Sequence, residues 1–280
     1  MQHKKQAVWL LTLAALSLSG IARAEEASKG SQSFWDKTKV MGQFNTIYSW
    51  NFNNPPVGTP ATTLTGTLPT PVTAGAPVPV AGALPTGNNA LRVFDYRANE
   101  FGVNLVDLAL ENTPNDWAKF RLDLNFGKDV AVVDATKGGV IGVDEIGLQQ
   151  AYAEFIAPIG KGLTIRAGHF VTLLGYEVIE SASNWNTSRS FLFGFAIPFT
   201  HTGILATYPV SDQVSASLGI VNGWDLTGDN NKGKTALAQL VYKPTDKITL
   251  SAQGTVGPEQ GLNNGNVRGI IDFVGTWNVT

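Results

Sequence analysis

Along most of this chain apolar and polar residues alternate with a period of two, the spacing of a β-strand whose two faces meet different surroundings. From Val40 to Phe52 the even positions are Val, Gly, Phe, Thr, Tyr, Trp and Phe, and the odd ones are mostly Gln, Asn and Ser. The clearest run sets Ala118, Phe120, Leu122, Leu124 and Phe126 against Lys119, Arg121, Asp123 and Asn125. The same alternation predicts strands at about 147–157, 163–170, 202–208, 213–223, 234–242, 248–257 and 267–278. A further strand at about 96–111 changes parity partway: Phe101, Val103 and Leu105 share one face, then Val106, Leu108 and Leu110 share the other. A bulge or a locally two-sided apolar strand accounts for that change. Together these segments predict ten strands.

The predicted connections alternate in length. They are short at 112–116, 158–162, 209–212 and 243–247, and long at 53–91, 128–146, 171–201, 224–233 and 258–266. Short turns on one side and long loops on the other are the asymmetry of an outer-membrane barrel, with the periplasm on the short side. The aromatic residues agree. Phe155, Tyr208, Tyr242 and Trp277 fall at strand ends beside short turns, and Trp50, Phe52 and Phe126 beside long loops, as the two interfacial girdles of a membrane barrel would place them. A soluble sandwich would instead bury its large aromatics in mid-strand.

Composition sharpens this picture. The chain is 43% hydrophobic and 15% charged, yet beyond the N-terminus no stretch approaches a transmembrane helix, so the apolar residues must be dealt out alternately, as a barrel deals them between lipid and lumen. The N-terminus itself carries Lys4 and Lys5, an apolar run from Ala7 to Leu18 and Ala22-Arg23-Ala24, which predicts a secretory signal peptide over 1–24. Residues 25–38 then form a periplasmic segment and 39–280 the barrel. Removing 1–24 leaves 17 basic residues against 22 acidic ones, a formal charge of −5 instead of −2, which speaks against a nucleic-acid partner. Without cysteine there is neither disulfide nor thiolate chemistry. Residues 53–91, rich in Pro, Thr, Ala and Gly, predict a long, solvated extracellular loop.

Charged side chains facing lipid at mid-depth would cost roughly 2–4 kcal/mol each, so Lys119, Arg121, Asp123, Gln150, Glu154, Arg166, Gln239, Gln253 and Asp272 are expected to face the lumen. They either line a pore or form a salt-bridged layer that fills a small barrel. The stretch Gly168–Gly203 is too long for a turn, and long loops in β proteins usually carry function. Its apolar members, among them Leu173, Leu174, Val178, Ile179, Phe191, Leu192, Phe193 and Phe195, need a surface to rest on. Folding 172–198 inward as a constriction would set Glu177, Glu180 and Arg189 opposite Arg166, Arg121 and Glu154. Extension of the flanking strands, or a subunit contact in a homo-oligomer, is the competing reading. His169 and His201 flank this loop near Ser181, Ser183, Ser188 and Ser190, but no local motif supports a triad or a metal cluster.

The run Leu148-Gln-Gln-Ala-Tyr-Ala-Glu-Phe-Ile-Ala-Pro-Ile-Gly160, then Arg166-Ala-Gly-His-Phe170, Leu174-Gly-Tyr-Glu177, Ser188-Arg-Ser190 and Pro198-Phe-Thr-His-Thr-Gly203 resembles the OmpL-like β-barrel porin-2 family from about Val40 onward. The resemblance implies an outer-membrane porin passing small hydrophilic solutes or ions, without a cofactor and with no catalytic residues to carry over. The reading reached is therefore an all-β, transmembrane, antiparallel up-and-down barrel in outer-membrane lipid, its pore lined by Arg121, Asp123, Glu154, Arg166, Glu177, Glu180 and Arg189. A barrel enzyme of lipase or protease type and a plugged adhesin or structural barrel are the alternatives. Ten strands would enclose a lumen largely filled by side chains, and the chain stops at Trp277-Asn-Val-Thr280 rather than at a terminal aromatic. The expectation is a piece of a larger barrel, whose sheet stays open between 40–52 and 267–278.

Overall fold

The computed structural model describes residues 33–52, 89, 92–133 and 146–279; the signal-peptide and extracellular-loop expectations for 1–24 and 53–88 lie outside them. Of the segment before the sheet, a short 3₁₀ turn at Trp35–Lys37 is described. From Thr38 onward the strands are β1 (Thr38–Ser49), β2 (Glu100–Asn115), β3 (Ala118–Phe126), β4 (Ile146–Ala157), β5 (Leu163–Val171), β6 (Thr200–Pro209), β7 (Val214–Val221), β8 (Thr235–Thr245), β9 (Ile248–Gln260) and β10 (Asn263–Trp277), with one short helix, α1 (Lys128–Val133). They form a single sheet in chain order, each strand antiparallel to the next. No ladder joins β1 to β10, so the sheet is open, as its strand count leads one to expect.

The sheet is nonetheless rolled. Gly175 donates its N–H to Asp272 of β10 at 2.8 Å, and Ser181 accepts a hydrogen bond from Asn45 of β1. The segment 175–181 spans at most about 22 Å when fully extended. Ten strands laid flat, about 4.8 Å apart, would separate the first from the last by about 43 Å. The two edges must curl toward the face on which this segment lies, and that face is concave.

The convex face carries Phe44, Leu218, Ile220, Leu240, Ile271 and Phe273, all exposed. Its two ends are aromatic. Trp117 stacks on Phe155 at 6.3 Å at one end, where Tyr208, Tyr242 and Trp277 also stand near the ends of their strands, and Tyr48 meets Phe101 at 4.6 Å at the other.

Two predicted connections differ from what is observed. The polar run 258–266 reads as a loop, yet β9 and β10 continue as a ladder to a tight turn at Gly261-Leu262, where Leu262 takes a φ of +60°; cross-strand hydrogen bonding overrides the turn-prone Asn residues. Likewise β2 runs on through Pro114 to Asn115, past the predicted turn at 112–116, with the irregularity absorbed where the register shifts between Asn112 and Asn115. A proline is admitted to a strand at such a bulge.

Residues 172–199 lie on the concave face. Leu174, Ile179, Phe193, Ile197 and Phe199 form one apolar cluster with Val93, Phe94 and Tyr96 from the β1–β2 connection, Val132 and Val133 of α1, and Leu105 of β2. A second cluster joins Phe170, Leu205, Val221 and Leu237 on the strands themselves, with Leu173 against it.

Candidate pore lining

On β2–β5 the concave face carries a ladder of charges. Register sets Glu111 opposite Arg121, Lys119 opposite Glu154 and Glu154 opposite Arg166, so each side chain meets its opposite sign across one strand spacing. Arg166 donates Nε and Nη2 to Glu154 Oε2 at 2.9 and 2.8 Å, and Lys119 Nζ lies 3.3 Å from the other Glu154 oxygen. Arg121 donates Nε to both oxygens of Asp123, at 2.9 and 3.0 Å; its Nη1 is 3.6 Å from Glu111. The Arg166 guanidinium also covers the Tyr152 ring at 4.5 Å. Gly168 sits opposite Tyr152 in the register, at φ +134°, where a Cβ would come within 2.8 Å of the Tyr152 backbone. The glycine is what lets the two strands meet there.

Arg121, Asp123, Glu154 and Arg166, expected from sequence to line one surface, are thus brought together. The side chains of Lys119, Arg121 and Arg166 are 23–29% exposed and Asp123 is fully covered, with Gln150 Nε2 at 2.5 Å on its other flank. With their cationic partners still partly hydrated, such pairs contribute modest stability each. These side chains lie on the face around which the sheet curls.

The three loop charges go elsewhere. Glu177 accepts the Ser190 N–H, at 3.0 Å, and its hydroxyl, closing a turn within the loop. Glu180 accepts from Gln149 of β4. The expectation that Arg189 faces Glu154 across an open passage is corrected: its side chain is 2% exposed and paired with Asp129 of α1 at 3.2 Å. It also donates to the carbonyls of Thr187 and Ile179 and lies 4.4 Å over the Phe94 ring. Such a density of partners is what a buried guanidinium requires. Asp129 lies in the β3–β4 connection, outside the strands; burial outweighs its partner and pushes the carboxyl up to about 6, as burial also lowers the Arg189 guanidinium.

The bulges hid other residues. β2 gains one residue where Asn45 pairs with Leu105 and Thr46 with Val103, so Asn104 and Leu105 both turn inward and Asp107 follows on the concave face. β4 does the same at Gln149, because Asp123 pairs with Gln150 but Leu124 with Leu148. The parity change between Val103 and Val106 was the only sequence signal of either. His201, fully buried, spends one ring nitrogen on the Gly223 carbonyl at 2.9 Å and the other on Thr172 Oγ1 at 3.1 Å. Ser181 and Ser190 hydrogen-bond to Asn45 and Glu177. His201 meets neither serine in these bonds.

No curated protein matches the chain. A family profile, however, matches residues 37–280, nearly everything after the N-terminal segment, and it describes a fold of the kind found here. The chain belongs to the family described as "Putative beta-barrel porin-2, OmpL-like".

Proposed function

We propose that the protein is an outer-membrane porin through which small hydrophilic solutes or ions pass by diffusion, without bond-making chemistry. The observation that carries this reading is the division of one sheet into a convex apolar face bounded by aromatic rings and a concave face bearing the ladder Glu111, Lys119, Arg121, Asp123, Glu154 and Arg166. Lipid would surround the first and water the second. Paired charges along a water-filled passage keep it hydrated and bias ion entry through whichever sign is left exposed. Segment 172–199 would narrow that passage, with the short turns in the periplasm and the long connections outside the cell.

The test is single-channel recording in planar bilayers after refolding. Discrete conductance steps are expected, with a shift toward anions in Glu154→Lys and larger steps on deleting 177–190 together with Asp129→Asn, which avoids stranding a buried carboxylate. Folded protein that gives no steps in either form overturns the reading. The depth of apolar packing of 172–199 against the concave face favours a second one, a plugged structural barrel. Silence of the intact protein with steps only after the deletion would select it.

A further inference from the structure

We infer that the wall of β1–β4 and the 3₁₀ turn at Ser181–Ser183 together form a binding site for one calcium ion. Across the concave face the register sets Gln43 of β1 opposite Asp107 of β2, and Asp107 opposite Asn125 of β3. Asn125 then donates to Gln149 of β4, and Gln149 to Glu180. One continuous polar row therefore crosses four strands. The loop lies over it: Asn45 donates to Ser181, and the Ala182 N–H reaches Gln43 Oε1 at 3.4 Å.

Oxygen atoms are left over inside this enclosure. Asp107 is 8% exposed and Asn125 2%, yet Asp107 Oδ1, Asn125 Oδ1 and Asn45 Oδ1 are buried with no hydrogen-bond donor. Buried acceptors without donors are rare, because each forfeits its hydration. Here they belong to three adjacent strands, with Glu180 within electrostatic reach of Asp107.

The charges are also unbalanced. Asp107 and Glu180 form no ion pair among the described residues. Arg121, which also reaches Asp107, is committed to Asp123; Arg189, near Glu180, is committed to Asp129. Two carboxylates beside neutral amide oxygens match a divalent cation in charge and hardness. No group of three or more Asp, Glu, His or Cys is placed to hold a metal among the described residues, so amides would complete the shell. Ligands from several strands and a loop suit the irregular oxygen coordination of calcium better than the strict octahedron of magnesium. The bound ion would tie the loop to the wall.

This site does not depend on conduction, and its test is read without it. The full chain, refolded in micelles, is titrated with CaCl₂ and with chelator while its unfolding temperature is followed by tryptophan fluorescence and binding by calorimetry. Expected are one calcium per chain and a rise in unfolding temperature that grows with calcium concentration and reverses with chelator. Asp107→Asn and Glu180→Gln lose both effects, and Asp212→Asn, at an exposed turn, keeps them. Should Asp107→Asn not refold, Glu180→Gln decides, since it changes no strand residue and keeps a side-chain oxygen to accept from Gln149. An equal rise with MgCl₂ or with NaCl of matched ionic strength, no rise at all, or a calcium effect retained in Glu180→Gln would overturn the inference.

Discussion

Arg189 shows what a single residue does when its surroundings, rather than its charge, set its role. Its pair with Asp129 links the loop to α1 inside an apolar cluster, where losing one partner strands the other without solvent. Arg189→Met is expected to destabilise the protein by about 3–5 kcal/mol, and Arg189→Met with Asp129→Leu by much less, as measured by urea unfolding in lipid vesicles. The same pair predicts a pH effect. Burial holds the Asp129 carboxyl at about 6 in the folded state, above the ordinary 3.8 of an aspartate, so the folded state takes up the proton first as pH falls. Acidification from about pH 6 toward 4 should stabilise the wild type relative to Asp129→Asn by an amount on the order of 3 kcal/mol. Above that window the difference should be flat. A difference that moves the other way would show that the carboxyl is not held above its unfolded value.

At the scale of the element, alternation governs which substitutions a strand tolerates. On β8, Gln239 lies on the concave face and donates to the Leu173 carbonyl at 3.3 Å, while its neighbour Leu240 is 51% exposed on the convex face. Leu240→Arg should cost roughly 2–4 kcal/mol in a bilayer, and Gln239→Arg far less, compared by refolding into vesicles. Equal costs would mean that lipid does not cover the convex face. Most strands were legible to within a few residues because their alternation is uninterrupted. The inner partners Asp107 and Gln149 were not, because each bulge adds one residue and reverses the parity read beyond it. β9 and β10 outran their predicted ends because ladder hydrogen bonds can carry polar, turn-prone residues that show no alternation.

For the molecule as a whole, the β2–β3, β4–β5, β6–β7 and β8–β9 turns lie at one end of the sheet, and the connections that carry 53–88, α1 and 172–199, together with the tight turn at Gly261-Leu262, at the other. If this is an outer-membrane barrel oriented by that asymmetry, protease added to intact cells should cut within 59–85 and leave the Asp116-Trp117 turn untouched. Cutting at Asp116 instead would invert the topology. Conductance, calcium binding and protease access then report on separate features: the passage, the wall and the orientation.

The sequence alone determined the all-β architecture, the order and sidedness of the strands, and the grouping of Arg121, Asp123, Glu154 and Arg166, because a period of two and antiparallel neighbours are local properties that alternation encodes directly. Only the tertiary structure decided the fate of the loop charges. Glu177, Glu180 and Arg189 read alike as loop charges facing a passage, yet one closes a turn, one hydrogen-bonds to Gln149 within β4 and one is buried against α1. The partners of Glu180 and Arg189 lie on β4, on α1 and in the β1–β2 connection, segments with no common period, and it is the seating of 172–199 on the concave face that brings them within reach.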